Sequence, residues 1–420
     1  MNKGLRALLC RLGARIGFAC IAHRENSDHR QLLVDVSTIA RRDAGTGIQR
    51  VVRALWLQLK SLEGPALMVT PIVGSRRHGY RVAPADFLDN RLGDDFSGLE
   101  PAMIARGDIF LGLDLAAHIL PYRARDLRRW KAHGVDLAFI VYDLLPALHP
   151  HWFSATSRRN YLRWINVVMR QADHVICIAE AVKCDLEGWI KTELGTRVRV
   201  PKVTVMRLSG DMTASNPSTG LPADAKDVYA WASAGPTILM VGTIEPRKGY
   251  DQALMAFEQL WATGDAAAPQ LLIVGRQGWM TEPLQQSIRQ HPEHGRRLVW
   301  IDNASDEYLE GLYTRCHGLL FASRAEGFGL PLLEAASHGK PALARDLPVF
   351  REFAPTSVTF FSSDHASDLA ASISNWMMAD KAAEPGPACA SLVSWPEAAG
   401  DVVKALGIAP GQSHRDGDTG

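Results

Sequence analysis

Short runs of Val, Ile and Leu recur through the first half of the chain, at Leu32 to Val36, Ile109 to Leu113, Leu137 to Tyr142, His174 to Ile178 and Val203 to Leu208. Longer segments of helical character separate them. Near-continuous apolar runs of this length suit strands buried on both faces, so the alternation predicts a parallel sheet covered by helices. The pattern lapses from Ser209 to Pro236, where Gly, Ala, Ser, Asp and Pro dominate without a sustained apolar period, as in a connection between domains. It resumes with Thr237 to Val241, Leu271 to Val274, Leu298 to Ile301, Leu319 to Phe321, Pro341 to Ala344 and Val358 to Phe361, separated by helical stretches such as Tyr250 to Trp261.

The expected fold class is therefore α/β, with two Rossmann-like domains facing across a cleft. Open sheets of this kind bind ligands outside the carboxyl ends of their strands. The expected division is a basic leader (1–30), a first domain (31–210), a connection (211–236), a second domain (237–408) and a polar, disordered tail (409–420). A length of 420 residues suits two cores of ordinary size.

Charge narrows the partners. Lys and Arg number 46 against 45 Asp and Glu, so nothing in the whole-chain balance suggests nucleic acid, and a polyphosphate would need a local cluster. The six cysteines, Cys10, Cys20, Cys177, Cys184, Cys316 and Cys389, show neither a C-x-x-C pair nor zinc-finger spacing, which fits a reduced, cytoplasmic compartment. No apolar run reaches the roughly 18 residues that span a bilayer. The first 24 residues carry Lys3, Arg6, Arg11, Arg15 and Arg24 without an acid, interleaved with leucines and isoleucines. A helix lying peripherally on the inner face of the cytoplasmic membrane and a plain solvated or docked leader are both open readings.

Two segments carry chemistry. Val241-Gly-Thr-Ile-Glu-Pro-Arg-Lys-Gly249 leaves the first strand of the second domain and enters a helix. Gly242 lets backbone approach a ligand, the helix start offers unpaired N–H groups, and Arg247 and Lys248 add two cations. This is the composition of a diphosphate site. A dinucleotide fingerprint would need G-x-G-x-x-G here, and its absence argues against a nicotinamide or flavin cofactor. Glu326-Gly-Phe-Gly-Leu-Pro-Leu-Leu-Glu334 follows the strand ending near Phe321. Gly327 and Gly329 form a turn, Pro331 marks the first turn of a helix, and two carboxylates at a sheet edge suit a molecule with vicinal hydroxyls.

Together, in this order, the two segments resemble the signature of the family-4 glycosyltransferases of the GT-B fold, a G-T-x-x-x-R-K-G loop followed by E-x-F-G-x-x-x-x-E. The resemblance implies that Arg247 and Lys248 bind the donor diphosphate, that Glu326 contacts the transferred sugar, and that Glu334 holds the ribose hydroxyls. It further implies donor contacts from Gly242, Thr243, Gly327, Phe328, Gly329 and Leu330, and retention of anomeric configuration with the leaving phosphate as base. Gly45-Thr-Gly-Ile-Gln-Arg-Val51 is similar to the family's N-terminal phosphate loop, which brings in Gly45 and Gly47 and makes Arg50 an extra cation. In Val141-Tyr-Asp-Leu-Leu-Pro146, Asp143 matches a family His-Asp pair as a catalytic candidate, whereas Tyr142 stands in the histidine's place.

No D-x-D pair suited to a divalent cation stands at a strand end, and Asp94-Asp95 falls in a polar, loop-like stretch, so neither a metal nor a cofactor is expected. Tyr122 to Lys131 and Trp152 to Trp164 interleave basic and aromatic residues. They could serve an anionic membrane, a lipid-linked acceptor or simply a solvated helix face. The resulting expectation is a retaining, metal-independent glycosyltransferase. It would move a hexose, with mannose or a rhamnose-like sugar preferred, from a nucleoside-diphosphate donor to a glycan or lipid-linked acceptor in surface polysaccharide synthesis. A non-catalytic nucleotide-binding subunit and a nucleotide-sugar epimerase are the alternatives.

Overall fold

The computed structural model describes residues 22–24, 29–93, 96–195, 199–211, 217–354, 357–380 and 393–408. The expected leader falls outside them but for 22–24, 29 and 30; Asp94, Asp95 and the expected tail fall outside altogether. The first domain is built on β1 (Arg30–Asp35), β2 (Leu67–Val73), β3 (Arg81–Val82), β4 (Ile109–Gly112), β5 (Asp136–Val141), β6 (His174–Cys177) and β7 (Lys202–Val205). Their order is β3-β2-β1-β4-β5-β6-β7, parallel except for β2 with β3. The apolar runs account for the buried strands: Leu32, Leu33 and Val34 of β1 are fully enclosed.

Strand β2 escapes the sequence pattern because Pro71 interrupts it. Its antiparallel neighbour β3 reaches only Ile72 and Val73, and on the other side Pro71 still sits opposite Val34, so the strand tolerates the missing N–H at its outer margin.

The second domain contains β8 (Thr237–Val241), β9 (Gln270–Val274), β10 (Leu298–Ile301), β11 (Gly318–Phe321), β12 (Ala342–Arg345) and β13 (Val358–Phe361). All pairs are parallel, in the order β10-β9-β8-β11-β12-β13. The strand order reverses between β8 and β11, and in such sheets the crevice at the reversal is where ligands bind. That reversal makes the loops after β8 and β11 neighbours, and these are the two segments that carry the chemistry. Alternate residues of β8 point into different cores: Leu239 packs with helices Asp306–Arg315 and Leu330–Ser337, whereas Ile238 and Met240 pack with helices Tyr250–Ala262 and Glu282–Gln290.

Two expected boundaries are drawn differently. The stretch 211–236 contains helix Ala225–Ser233, which packs on helix Asp306–Arg315 and so belongs with the second sheet. A Cβ at Gly311 would collide with the Tyr229 hydroxyl, so the two helices meet at a glycine that periodicity cannot reveal. The end of 237–408 also leaves the second domain: helix Trp395–Ala405 returns to the first, against helix Gly47–Ser61 and β6. Its buried face of Ala398, Ala399, Val402 and Val403 needs an apolar partner, and the Trp395 indole N–H donates to the Asp211 carbonyl at 2.8 Å.

Candidate active site

At the exit of β8, Gly242 holds φ +136° and Gly249 holds φ +70°. A Cβ at Gly249 would collide with the Ala322 carbonyl, so only glycine lets this loop lie on the exit of β11. Between them a single turn, Pro246–Lys248, presents both cations. Arg247 donates from Nη1 to Glu326 Oε2 at 2.6 Å and to the Ala325 carbonyl at 3.1 Å, and from Nε to Glu245 Oε2 at 2.9 Å. Lys248 Nζ donates to Glu326 Oε1 at 2.5 Å.

Burial pulls the Glu326 carboxyl upward, but Arg247 and Lys248 outweigh it and hold the group at about 2. The same carboxylates, Glu326 first and then Glu245 and Asp143, hold Arg247 protonated against the opposing effect of burial. A guanidinium has five N–H donors and an ammonium three, so both cations keep capacity for phosphate oxygens while paired.

Glu334 lies on helix Leu330–Ser337, almost fully buried. Tyr313 donates to its Oε2 at 2.8 Å, and Arg50 of the first domain pairs with its Oε1. The other nitrogen of Arg50, Nη2, donates to Asp306 Oδ1 at 2.7 Å. Glu334 and Asp306, in that order, keep the guanidinium charged although burial acts against it. Arg50 thus bridges the domains at the carboxylate expected to hold ribose, rather than standing free at the diphosphate.

The first domain meets this surface closely. A Cβ at Gly327 would collide with the Tyr142 carbonyl, so backbone faces backbone across the cleft. Gly45 has φ +61° and lies against the Arg276 guanidinium, and Gly47 lies against Leu330. Thr46 and Gln49 close a capping box at the start of helix Gly47–Ser61. The Tyr142 hydroxyl donates to the Leu113 carbonyl at 2.6 Å, and burial raises the phenol far above its ordinary range. That bond ties the exit of β5 to the loop after β4. Asp143 is half-buried, its Oδ1 accepts from the Leu145 N–H at 3.0 Å, and burial pushes its carboxyl up against the opposing pull of Arg247.

Within the glutamate segment, the Phe328 ring stacks on Phe353 at 4.3 Å and Gly329 abuts Phe350. Among the described residues no acceptor takes the N–H of Gly327, Phe328 or Gly329. An interdomain cavity of about 800 Å³ is lined by every residue the sequence put forward for donor binding or catalysis, Thr243 included. Glu245, Asp306, Arg276 and Trp279 line it as well. The sequence reading did not single out the last two, although a signal was there: Gly275-Arg-Gln-Gly-Trp279 leaves a parallel strand at its carboxyl end.

Residues 223–385 match the family model described as Glycosyl transferases group 1. The chain is 36% identical over 399 residues to the serotype-specific mannosyltransferase WbdA of Escherichia coli, covering 94% of this chain and 47% of that protein. It therefore spans about half the length of the curated relatives it matches. In fold it is similar to Anabaena Alr3699/HepE, solved in complex with UDP and glucose, with TM-score 0.56 and 15% identity over 90% of this chain and 96% of that one. The sucrose-phosphate synthase of Thermosynechococcus elongatus gives TM-score 0.57 at 14% identity, over 91% and 95% of the two chains.

Proposed function

Because the chain carries a domain of the group 1 glycosyl transferases within a two-domain GT-B fold, we propose that it transfers a hexose, mannose by preference, from a nucleoside-diphosphate sugar to a glycan or lipid-linked acceptor in surface polysaccharide synthesis. The observation that carries this reading is the meeting of Arg247 and Lys248 with Glu326 beside three uncommitted N–H groups, inside a cavity shared by both domains. The preference for mannose follows the likeness to WbdA.

In this scheme the diphosphate lies on Arg247, Lys248 and the Gly45-to-Gly47 loop, and the hexose lies toward Glu326 and Asp143. The ribose hydroxyls reach Glu334 by exchanging with Arg50. Fixed cations and oriented N–H groups offset the charge that grows on the departing diphosphate, so the chemistry proceeds without a metal. The departing phosphate takes the acceptor proton, and the anomeric configuration is retained. Calorimetry with the common nucleoside diphosphates, followed by transfer from the matching sugar donors, tests the reading. Binding of one diphosphate, a product with the donor's anomeric configuration and a rate unchanged by EDTA are expected. No transfer from any donor by folded protein sinks the enzyme reading, and EDTA inhibition reversed by Mg²⁺ sinks the metal-independent one.

We place the protein peripherally on the inner face of the cytoplasmic membrane. No helix among the described residues is long and apolar enough to cross a membrane. Helix Ala155–Gln171 lines a groove with Arg158, Arg159, Arg163 and Arg170 over Leu162 and Val167, and none of these arginines pairs with an acid among the described residues. Basic side chains near an anionic leaflet contribute about 1 kcal/mol each. Cosedimentation with phosphatidylglycerol vesicles should be salt-sensitive and fall at least about tenfold when Arg158, Arg159 and Arg163 are all replaced by Glu. Equal binding by that variant removes the assignment.

A further inference from the structure

The loop after β9 reaches the first domain at a place the donor scheme leaves unused. Gly275 and Gly278 lie directly on the donor loop, where a Cβ would collide with the carbonyls of Gly242 and Ile244. Thr281 Oγ1 donates to the same Ile244 carbonyl at 2.8 Å, and Gln285 Nε2 donates to the Gly278 carbonyl at 3.1 Å. Constrained on both sides, Met280 holds φ +57°, the left-handed value found at no other non-glycine among the described residues. Such backbone persists only where its surroundings over-determine it.

Trp279 stands on this strut, 39% exposed. Its indole N–H donates across the cleft to the Trp152 carbonyl at 2.8 Å, and its ring lies 6.1 Å from Phe153 at 35°. Trp152 is itself stacked on His149 at 4.5 Å. With its one polar atom committed to protein, Trp279 has only its ring surface left for a ligand. Ser157 and Asn160 line the same cavity beside Phe153. A flat apolar surface rimmed by hydroxyl and amide groups matches a pyranose, which has a C–H face and a hydroxyl edge.

Its position separates it from the nucleotide. Asp306, Tyr313 and Glu334 are carried by helices on one face of the second sheet, whereas the strut leads into helix Glu282–Gln290 on the opposite face. It lies instead toward the reacting end of the cavity, because the Tyr161 hydroxyl donates to the Asp143 carbonyl at 2.5 Å and so joins Asp143 to the helix of Ser157 and Asn160.

The geometry points to a stacking subsite, made by Trp279 with Phe153, for a pyranose of an oligosaccharide acceptor some residues away from the hydroxyl that is glycosylated. The inference rests on the transferase reading and gives its acceptor a site. Since the strut is bonded to the donor loop, this positioning surface moves with Arg247 and Lys248 and keeps a set distance from the diphosphate.

The test titrates α-linked mannotetraose into protein saturated with GDP or UDP, whichever binds, and measures transfer to the tetrasaccharide and to methyl α-mannoside. Trp279→Ala should raise the Kd and KM for the tetrasaccharide about tenfold. Its KM for methyl mannoside and its nucleotide affinity should stay within about twofold of wild type. Trp279→Phe, which keeps a ring and loses the N–H, should retain most tetrasaccharide affinity. The subsite is overturned by unchanged tetrasaccharide binding in Trp279→Ala, or by an equal loss of nucleotide affinity, which would mark a domain contact only. It is also overturned if wild type binds nucleotide but no tetrasaccharide. If wild type binds no nucleotide, the transferase reading falls and the subsite falls with it.

Discussion

Replacing Lys248 by alanine is expected to lower kcat for transfer by about a hundredfold to a thousandfold, the range seen when one preorganised donor to a developing charge is removed. Lys248 Nζ spends one contact on Glu326 Oε1, at 2.5 Å, and lies 5.5 Å from the centre of the Phe321 ring, which fixes it at the mouth of the donor loop. Its remaining N–H groups are the ones a leaving diphosphate would draw on. The fold should persist, because Glu326 keeps Arg247 as a partner. Nucleotide Kd should rise by about tenfold, consistent with a charge-assisted bond of 1.5–3 kcal/mol partly replaced by water. Steady-state kinetics beside a melting curve decide the matter: an unchanged kcat in a folded variant would remove Lys248 from the mechanism.

The second large effect separates chemistry from stability at Glu326. Glu326→Gln keeps the shape and one acceptor oxygen but not the charge that faces Arg247 and Lys248, so it should reduce transfer by about a hundredfold or more and melt below wild type while staying folded. Glu326→Ala takes both the charge and the acceptor oxygens away from Arg247 and Lys248 in a nearly buried site. Removing one partner of a buried ion pair costs about 3–5 kcal/mol, so the alanine form should melt well below the glutamine form. The pH dependence follows from the depressed carboxyl. With a folded value of about 2 against an ordinary 4.5, Glu326 contributes stability that is complete above about 4.5 and is lost as pH falls toward 2. The gap in melting temperature between wild type and Glu326→Gln should therefore close on acidification through that window. A gap that stays constant would show that the charge is not coupled to folding.

Much of the architecture was legible because buried parallel strands write themselves as apolar runs, and the candidate residues that share the cavity because their loops are marked by glycine, proline and cations. What stayed hidden has specific causes. Strand β2 was masked by Pro71, tolerated because its antiparallel neighbour is only two residues long. Helix Trp395–Ala405 has an ordinary amphipathic pattern, and nothing local says that its apolar face belongs to the domain it left. Arg50 was legible as a cation but not as a bridge, since its partners Glu334 and Asp306 lie 284 and 256 residues away. For Glu326 the resemblance implied a sugar contact, while its pairing with Arg247 and Lys248 was not legible, because pairing across the β8 and β11 exits is a property of strand order, not of spacing.

The return of the last helix has a mechanical consequence. The chain passes between the domains twice, once after β7 and once between helices Ala366–Asp380 and Trp395–Ala405. The two passages are clipped together: Trp395 is bonded to Asp211, and Arg207 grips Asp401 through Nε and Nη2 at 3.0 and 3.2 Å. Bonds of this kind between residues beside both passages resist any movement that would draw those residues apart. Opening the cleft would therefore have to break the contacts of Arg50, Trp279 and Glu352, the last accepting from the N–H groups of Glu180 and Ala181, before it strained the clip.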